Sequence, residues 1–194
     1  MWRITSDIYF ESEGNFLPES IVAKLQEKDY EIKRLPLLEV PREVLEKDEN
    51  LRNQPLYEAK NKTHTIFFGD RVLGISIENV EKIENDKVYK FAEFIEENFK
   101  ITRLGVRATN LKSPIAKEKI KVLINEKIQE FDDCFLRLHK KYKHYEFYVT
   151  FNDNKEVVTD IIVFIEQNLQ KKEVVKKIEF LVSKIKEIYD AYGV

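Results

Sequence analysis

The stretch "ITRLGVRATN", Ile101–Asn110, combines the apolar residues of a core strand with two arginines and a glycine. Because side chains alternate between the two faces of a strand, the arginines need not be buried. The predicted core face carries Thr102, Leu104, Val106, Ala108 and Asn110, and the other face carries Ile101, Arg103, Gly105, Arg107 and Thr109. The stretch therefore predicts a core strand with one polar face.

The polar face of this strand has two interpretations. Arg103 and Arg107 are suited to binding carboxylate or phosphate through bidentate hydrogen bonds, and Gly105 would let a ligand approach the backbone. The same arginines are equally suited to cross-strand salt bridges with glutamates. We take Arg103, Arg107 and Asn110 as a candidate site for an anion or a partner, with both interpretations open.

The segments before this strand predict a hairpin and a helix. In "KTHTIFFGDRVLGISIE", Gly69-Asp70 suits a two-residue turn that would pair Phe68 with Arg71. The amphipathic helix that follows is predicted from five apolar residues at helical spacing, which are Val88, Phe91, Ala92, Ile95 and Phe99.

The rest of the chain extends this pattern. A helix is predicted after Ser113-Pro114, two strands around residues 134–151, a β-branched strand from Val157, and a long closing helix. Hairpins outnumber β-helix-β crossovers. The predicted fold is α+β, a mostly antiparallel sheet with helices packed on one face, in a single domain of residues 1–194. Two similar halves, about 1–112 and 113–194, are one option within it.

Composition limits the class of protein. The 194 residues include 33 basic and 35 acidic side chains, so the net charge of −2 gives no overall attraction to nucleic acid or to an anionic membrane. Cys134 is a lone cysteine, the N-terminus has no signal pattern, and no apolar run approaches the ~20 residues of a membrane span. We therefore predict a soluble cytoplasmic protein without membrane association. Enrichment in Lys and Glu, with few Gly and Pro, is typical of proteins from hot environments.

The motifs of most enzyme classes are missing. There is no G-x-S-x-G elbow, no Gly-rich phosphate loop and no HExxH or CxxC motif, so we assign no catalytic residue, no cofactor and no metal. His139 and His144 flank a predicted turn near Cys134 and Asp132-Asp133, which is a weak pattern for a metal site.

A local basic patch lies in "RLHKKYKHY", residues 137–145. It interleaves cations with aromatic rings, as single-stranded nucleic acid binding requires, in the set Arg137, Lys140, Lys141, Tyr142, Lys143 and Tyr145. The alternative is a solvated hairpin tip whose lysines prevent edge-to-edge aggregation.

"RLGVRATN" resembles the "R-x-G-L-R-Y-x-N" strand of a sporadically distributed family of uncharacterised prokaryotic proteins. In that family the strand follows a hairpin and a helix, as "FFGDRVLGISIE" and "KVYKFAEFIEENF" precede it here. Arg103, Gly105, Arg107 and Asn110 match recurrent residues of the family, whereas Ala108 stands where the family usually has tyrosine. The resemblance implies a shared fold and no known activity.

Two functional hypotheses follow from the sequence. The first is a non-enzymatic binding or regulatory module for protein or nucleic acid, with homodimerisation through an exposed strand edge as one option. The alternative is an enzyme or sensor that binds a phosphorylated or carboxylated small molecule through Arg103 and Arg107.

Overall fold

The structure, a computed structural model, describes residues 2–12, 18–80, 85–112, 134–153 and 157–192. The strands are β1 (Trp2–Ser12), β2 (Glu31–Arg34), β3 (Tyr57–Lys60), β4 (Thr65–Phe68), β5 (Val72–Val80), β6 (Phe99–Lys112), β7 (Cys134–Lys141), β8 (Glu146–Asp153) and β9 (Val157–Leu169). The α-helices are α1 (Glu19–Gln26), α2 (Arg42–Lys47), α3 (Glu49–Arg52), α4 (Asn85–Val88) and α5 (Lys171–Tyr192). Two 3₁₀ helices span Pro36–Glu39 and Lys90–Phe94.

All nine strands join one antiparallel sheet in the order β2-β3-β4-β5-β1-β6-β9-β8-β7. The first strand of the chain thus lies in the middle, between β5 and β6. The hairpin-rich pattern of the sequence had favoured this α+β class with an antiparallel sheet, and the prediction is confirmed. The division into two related halves stays a prediction.

The core lies between one face of the sheet and a layer of helices. In β1 the even-numbered residues Ile4, Ile8 and Phe10 are buried, as alternation requires. They belong to one apolar cluster with Ile21 of α1, with Phe91 of the 3₁₀ helix, and with the buried stripe of α5, Val174, Ile178, Leu181, Val182 and Ile185. The opposite face, which we call the polar face, carries the odd-numbered residues of β1.

The predicted faces of β6 are correct over its centre and wrong at one end. Leu104, Val106 and Ala108 are buried in the core, and Arg107 is exposed on the polar face. Ile101, predicted beside the arginines, is instead buried in the core. The cause is an irregularity: Tyr9 pairs with Arg103 but Phe10 pairs with Ile101, so Thr102 is an extra residue that reverses the alternation.

The hairpin of β4 and β5 turns one residue later than predicted. Phe68 pairs with Leu73 rather than with Arg71, and Gly69 N–H donates to the Val72 carbonyl, so Asp70 and Arg71 are the turn residues. A Cβ atom on Gly69 would lie 2.6 Å from the Gln54 carbonyl oxygen, so this glycine serves a close backbone approach. The register differs from the predicted one by an even number of residues, so Ile66, Phe68, Leu73 and Ile75 still share the core face.

The helix predicted over Val88–Phe99 is also wrong in extent. The chain forms the short α4, the 3₁₀ helix Lys90–Phe94 and then β6 from Phe99, although Val88, Phe91 and Ile95 are buried as predicted. The helix predicted after Ser113-Pro114 lies outside the described residues. None of the helices described here combines the length and apolar composition needed to cross a bilayer.

Adding one methyl group at either of two glycines in the sheet should lower stability by different amounts. In Gly74→Ala the new Cβ would lie 2.4 Å from Phe67 Cζ and 2.6 Å from the Ser6 carbonyl oxygen, which is fixed backbone. In Gly105→Ala it would meet Asp7 Oδ1 at 3.0 Å, the end of a movable side chain. We expect Gly74→Ala to lower the free energy of unfolding by about 1–3 kcal/mol, and Gly105→Ala to lower it by less.

Urea unfolding of the two variants and the wild type measures this difference. Equal losses in the two variants would show that neither contact is as rigid as the structure indicates.

Candidate binding face of the sheet

The two candidate sites of the sequence meet on the polar face. Arg103 and Arg107 project there from β6, where they alternate with the buried Leu104, Val106 and Ala108. Arg137 and His139 project there from β7, where they pair with Thr150 and Tyr148 of β8. Strands β9 and β8 lie between them in the sheet and contribute Phe164 and Tyr148.

Aromatic rings and guanidinium groups form a continuous stack across this face. We call it the ladder, and its members in order are Tyr9, Arg103, Phe164, Tyr148, and then Arg137 and His139 together. The Arg103 guanidinium carbon lies 5.4 Å from the Tyr9 ring centroid and 4.5 Å from that of Phe164. The Tyr148 centroid is 5.8 Å from Phe164, 4.2 Å from the Arg137 guanidinium carbon and 4.3 Å from the stacked ring of His139. These separations are typical of cation–π and stacking contacts.

Arg103 is held by rings rather than by carboxylates. Glu166 is its register partner on β9, but no ion pair joins Arg103 to another described side chain. Its Nε atom is buried and has no hydrogen-bond partner in the described part of the chain. The salt-bridge interpretation therefore fails for Arg103 within that part, and the guanidinium charge is left uncompensated by direct contact.

Arg107 lies farther along β6 on the same face and is exposed. Its register partners are Thr5 and Ile162, which carry no charge. Arg103, by contrast, is only partly exposed. Asn110, the third residue of the predicted site, lies near the end of β6, and its side chain is outside the described set.

Asp7 occupies the centre of the polar face. It pairs with Gly74 of β5 on one side and with Gly105 of β6 on the other. The ring of Phe67 lies over Gly74, and the carboxylate of Asp7 lies over Gly105. Arg103 and Arg107 stand on either side of Gly105, so both guanidinium groups are diagonal neighbours of Asp7.

The surroundings of Asp7 oppose its ionisation. Burial raises the pKa of Asp7 to about 6, and the positive charges of Arg103 and Arg107 offset only part of that increase. Burial and the charge of Asp7 also raise the pKa of Tyr9. A carboxyl group that titrates near neutral pH beside two arginines is a feature of functional sites more often than of inert surfaces.

The predicted patch 137–145 is divided between the two faces. Arg137, His139 and Lys141 face the ladder side of β7, whereas Lys140 lies over Tyr142 on the other side, with its ammonium 4.9 Å from the ring centroid. Tyr145 packs on Phe180 of α5 with centroids 5.5 Å apart. The patch as predicted is therefore wrong in part, because a hairpin sends alternate residues to opposite faces.

The remaining members of that patch lie at its tip. Lys143 and His144 are exposed in the turn, and Tyr142 stacks on Tyr145 with centroids 4.7 Å apart. The Lys-rich start of α5 belongs to the helix layer, so it does not extend the ladder. Lys171 there pairs with Glu97 at 3.2 Å.

Glu146 binds His139 and Lys141 at the outer end of the ladder. His139 Nε2 lies 3.1 Å from Glu146 Oε2, and Lys141 forms an ion pair with the same carboxylate. These contacts hold the pKa of Glu146 below its usual value, with the Lys141 hydrogen bond as the main cause. Among the described residues, no group of three potential metal ligands converges. Asp132 and Asp133 lie outside them.

A cleft of about 560 Å³ adjoins the Tyr9 end of the ladder. Its walls carry polar side chains of both charges from several elements and the turns beside them, namely Tyr9, Glu11, Glu49, Asn50, Asn53, Gln54, Arg71, Thr102, Arg103 and Glu166. The cleft gives a ligand on the polar face room to extend beyond the stacked rings.

Sequence reasoning missed Asp7, Tyr9, Tyr148 and Phe164. Asp7 carried one usable signal, a charged residue at the middle of an otherwise apolar-alternating strand. Tyr9, Tyr148 and Phe164 come together only because particular strands are neighbours in the sheet. No local sequence pattern predicts which strands pair.

Comparisons with known proteins leave the chain without a family. No protein-family model matches it, and neither does any curated protein. One solved structure, a rolling circle replication initiator protein from Geobacillus stearothermophilus, is similar with a TM-score of 0.38 and 11% sequence identity. The match covers 99% of this chain and 84% of that one.

The position of Asp7 predicts a pH-dependent stability difference for Asp7→Asn. Between about pH 4 and about pH 6 the folded wild type binds more protons at Asp7 than the unfolded chain, so its stability falls as the pH rises through this window. The asparagine of the variant does not titrate. Relative to the wild type, the variant should therefore gain about 2 kcal/mol in unfolding free energy between about pH 4.5 and about pH 7.5.

Denaturant unfolding at the two pH values gives this difference, and other titrating groups cancel between the two proteins. Glu166→Gln, which removes an exposed carboxylate from the same face, is the matched control. A pH-independent difference for Asp7→Asn would contradict the burial of this carboxyl group.

Proposed function

We propose that the protein is a binding module for single-stranded nucleic acid, which lies along the polar face of the sheet. The ladder is the observation that supports this proposal. Single-stranded nucleic acids are bound by cations that attract the phosphates together with aromatic rings on which the bases stack. The ladder supplies both kinds of group side by side.

The members of the ladder have different roles in this proposal. Arg103 lies between two rings and orients Tyr9 and Phe164, and its charge acts together with that of Arg107 at the centre of the face. Arg137, and Arg107 beside the ladder, are exposed and are available to phosphates. Tyr148 carries the Arg137 guanidinium group and the His139 ring, and the exposed His139 ring offers its outer surface to a base. This division lets one surface read the backbone and the bases of the same strand.

The dimensions of the face suit a short oligonucleotide. The ladder crosses five neighbouring strands from β1 to β7, which is about 19 Å at ~4.8 Å per strand spacing. At ~3.4 Å per stacked nucleotide, about six nucleotides span that distance. The net charge of −2 is no obstacle, because screening limits the attraction to local charges within ~10 Å.

Loss of the two exposed arginines should weaken binding of a fluorescent oligo-dT of about twelve nucleotides. In fluorescence anisotropy at low salt, we expect Arg107→Ala/Arg137→Ala to raise the Kd at least about tenfold. The slope of log K against log[salt] should shrink by about 1.4, since each phosphate contact contributes ~0.7 for a single strand.

The matched control is Lys172→Ala/Lys176→Ala, which removes the same charge from the exposed side of α5. Equal losses in both double variants would mean that binding follows net charge and not the polar face. Absence of binding by the wild type at low salt would refute the proposed function.

Stacking on Tyr148 predicts a second, chemically distinct result. Tyr148→Ala should weaken oligo-dT binding by about 1–3 kcal/mol, as removal of a stacking ring does, while Tyr148→Phe should bind like the wild type. Circular dichroism of both variants checks that the sheet is retained. A large loss in the Phe variant would place the hydroxyl group, and not the ring, in the contact.

The position of Asp7 favours a second candidate function, the binding of a phosphorylated or carboxylated small molecule by Arg103 and Arg107. Two guanidinium groups that form no direct ion pair with another described side chain, beside a carboxyl group of raised pKa, suit such a ligand. Inorganic phosphate that displaces oligo-dT more strongly than chloride of equal ionic strength would support a discrete anion site at this position.

A further inference from the structure

We propose that Asp7 competes with the ligand for Arg103 and Arg107, so that an anion binds the centre of the polar face together with a proton that Asp7 takes up. The inference rests on the proposed function, because the anion is a phosphate group of the bound strand. It makes Asp7 the residue that sets how tightly this face holds its ligand at a given pH.

The first argument is the shape of the face around Asp7. Its register partners Gly74 and Gly105 have no side chains, so the carboxyl group has bare backbone on both sides. The position where a Gly105 Cβ would stand lies 3.0 Å from Asp7 Oδ1. Along β6 the carboxyl group therefore lies between the two arginines that flank Gly105, so a phosphate held by either arginine would come close to Asp7.

The second argument is the pattern of charge around Asp7. From β6 it faces Arg103 and Arg107, and from β5 it faces Gly74 with Val72 and Ser76, none of which is charged. On its own strand Tyr9 is the titratable neighbour, and beyond β6 the register partner of Arg103 is Glu166. The attraction of both guanidinium groups to Asp7 acts without a direct ion pair in the described part of the chain. The two guanidinium groups can therefore bind an acceptor that attracts them more strongly than Asp7 does.

The third argument is the cost of placing a second anion beside Asp7. An ionised Asp7 repels an incoming phosphate at short range, whereas a protonated Asp7 does not and becomes a hydrogen-bond donor. Burial already raises the pKa of Asp7 to about 6, so protonation near neutral pH is inexpensive. A bound phosphate favours the protonated form further. Affinity should therefore fall as the pH rises through and above about 6.

Oligo-dT of about twelve nucleotides is the probe, because neither thymine nor a phosphodiester changes charge between about pH 5 and about pH 8. The wild type should bind it about tenfold more tightly at the lower pH. Asp7→Asn should bind it nearly equally at both values, and at about pH 8 more tightly than the wild type. Misfolding of the Asp7→Asn variant could not explain a gain of affinity.

His139 also lies in the ladder, where it contacts the Glu146 carboxylate at 3.1 Å. His139→Gln is therefore the control, and it should keep most of the wild-type pH dependence. As a second measurement, carbon-detected NMR of the wild-type Asp7 carboxyl group should show its pKa rising when oligo-dT is added.

The outcomes separate the two proposals. If Asp7→Asn retains the pH dependence and the oligo-dT affinity of the wild type, Asp7 is not a competitor, while the losses in Arg107→Ala/Arg137→Ala still support the binding face. If the carboxyl pKa of Asp7 is unchanged by oligo-dT, the inference is likewise overturned. If no oligo-dT binds at any pH, the proposed function and the inference fail together.

Discussion

The pairing of β1 between β5 and β6 is the constraint on which the rest of the molecule depends. Without this strand the sheet would divide into β2 to β5 on one side and β6 to β9 on the other. Ser6 shows how closely the two sides are joined, because its buried hydroxyl donates to the Gly105 carbonyl oxygen at 3.3 Å. The apolar residues of β1 bind this strand to the helix layer, and its odd-numbered residues form the centre of the polar face.

The candidate site lies at the β1–β6 pairing, where the two parts of the sheet join. Asp7 comes from one side of the β1–β6 pairing and the two arginines come from the other. Phe164 and Tyr148 continue the site onto β9 and β8. The site therefore exists only when the long-range pairing is complete, so folding and site formation are a single event.

Local patterns in the sequence predict which residues share a face of a single strand. They do not predict which strands lie next to each other in the sheet. Alternation placed Leu104 in the core and Arg107 outside it, and it failed at Ile101 because an extra residue in β6 reverses the order. The patch 137–145 was predicted as one surface, but Tyr145 turns towards α5. The ladder required knowledge that β6, β9 and β8 are adjacent, and that adjacency depends on pairings far apart in the chain.

A central strand that precedes its partners in the chain has a consequence for synthesis. Residues 99–112 of β6 are made roughly 90 residues after β1, which is about 5–20 seconds at ~5–20 residues per second. During that interval β1 has no β6 to pair with, and Ile4, Ile8 and Phe10 form an apolar edge of the kind that attracts other chains. The central strand of the nascent chain therefore stays without one of its partners until synthesis has passed the middle of the sequence, and a chaperone would have most to protect before that point.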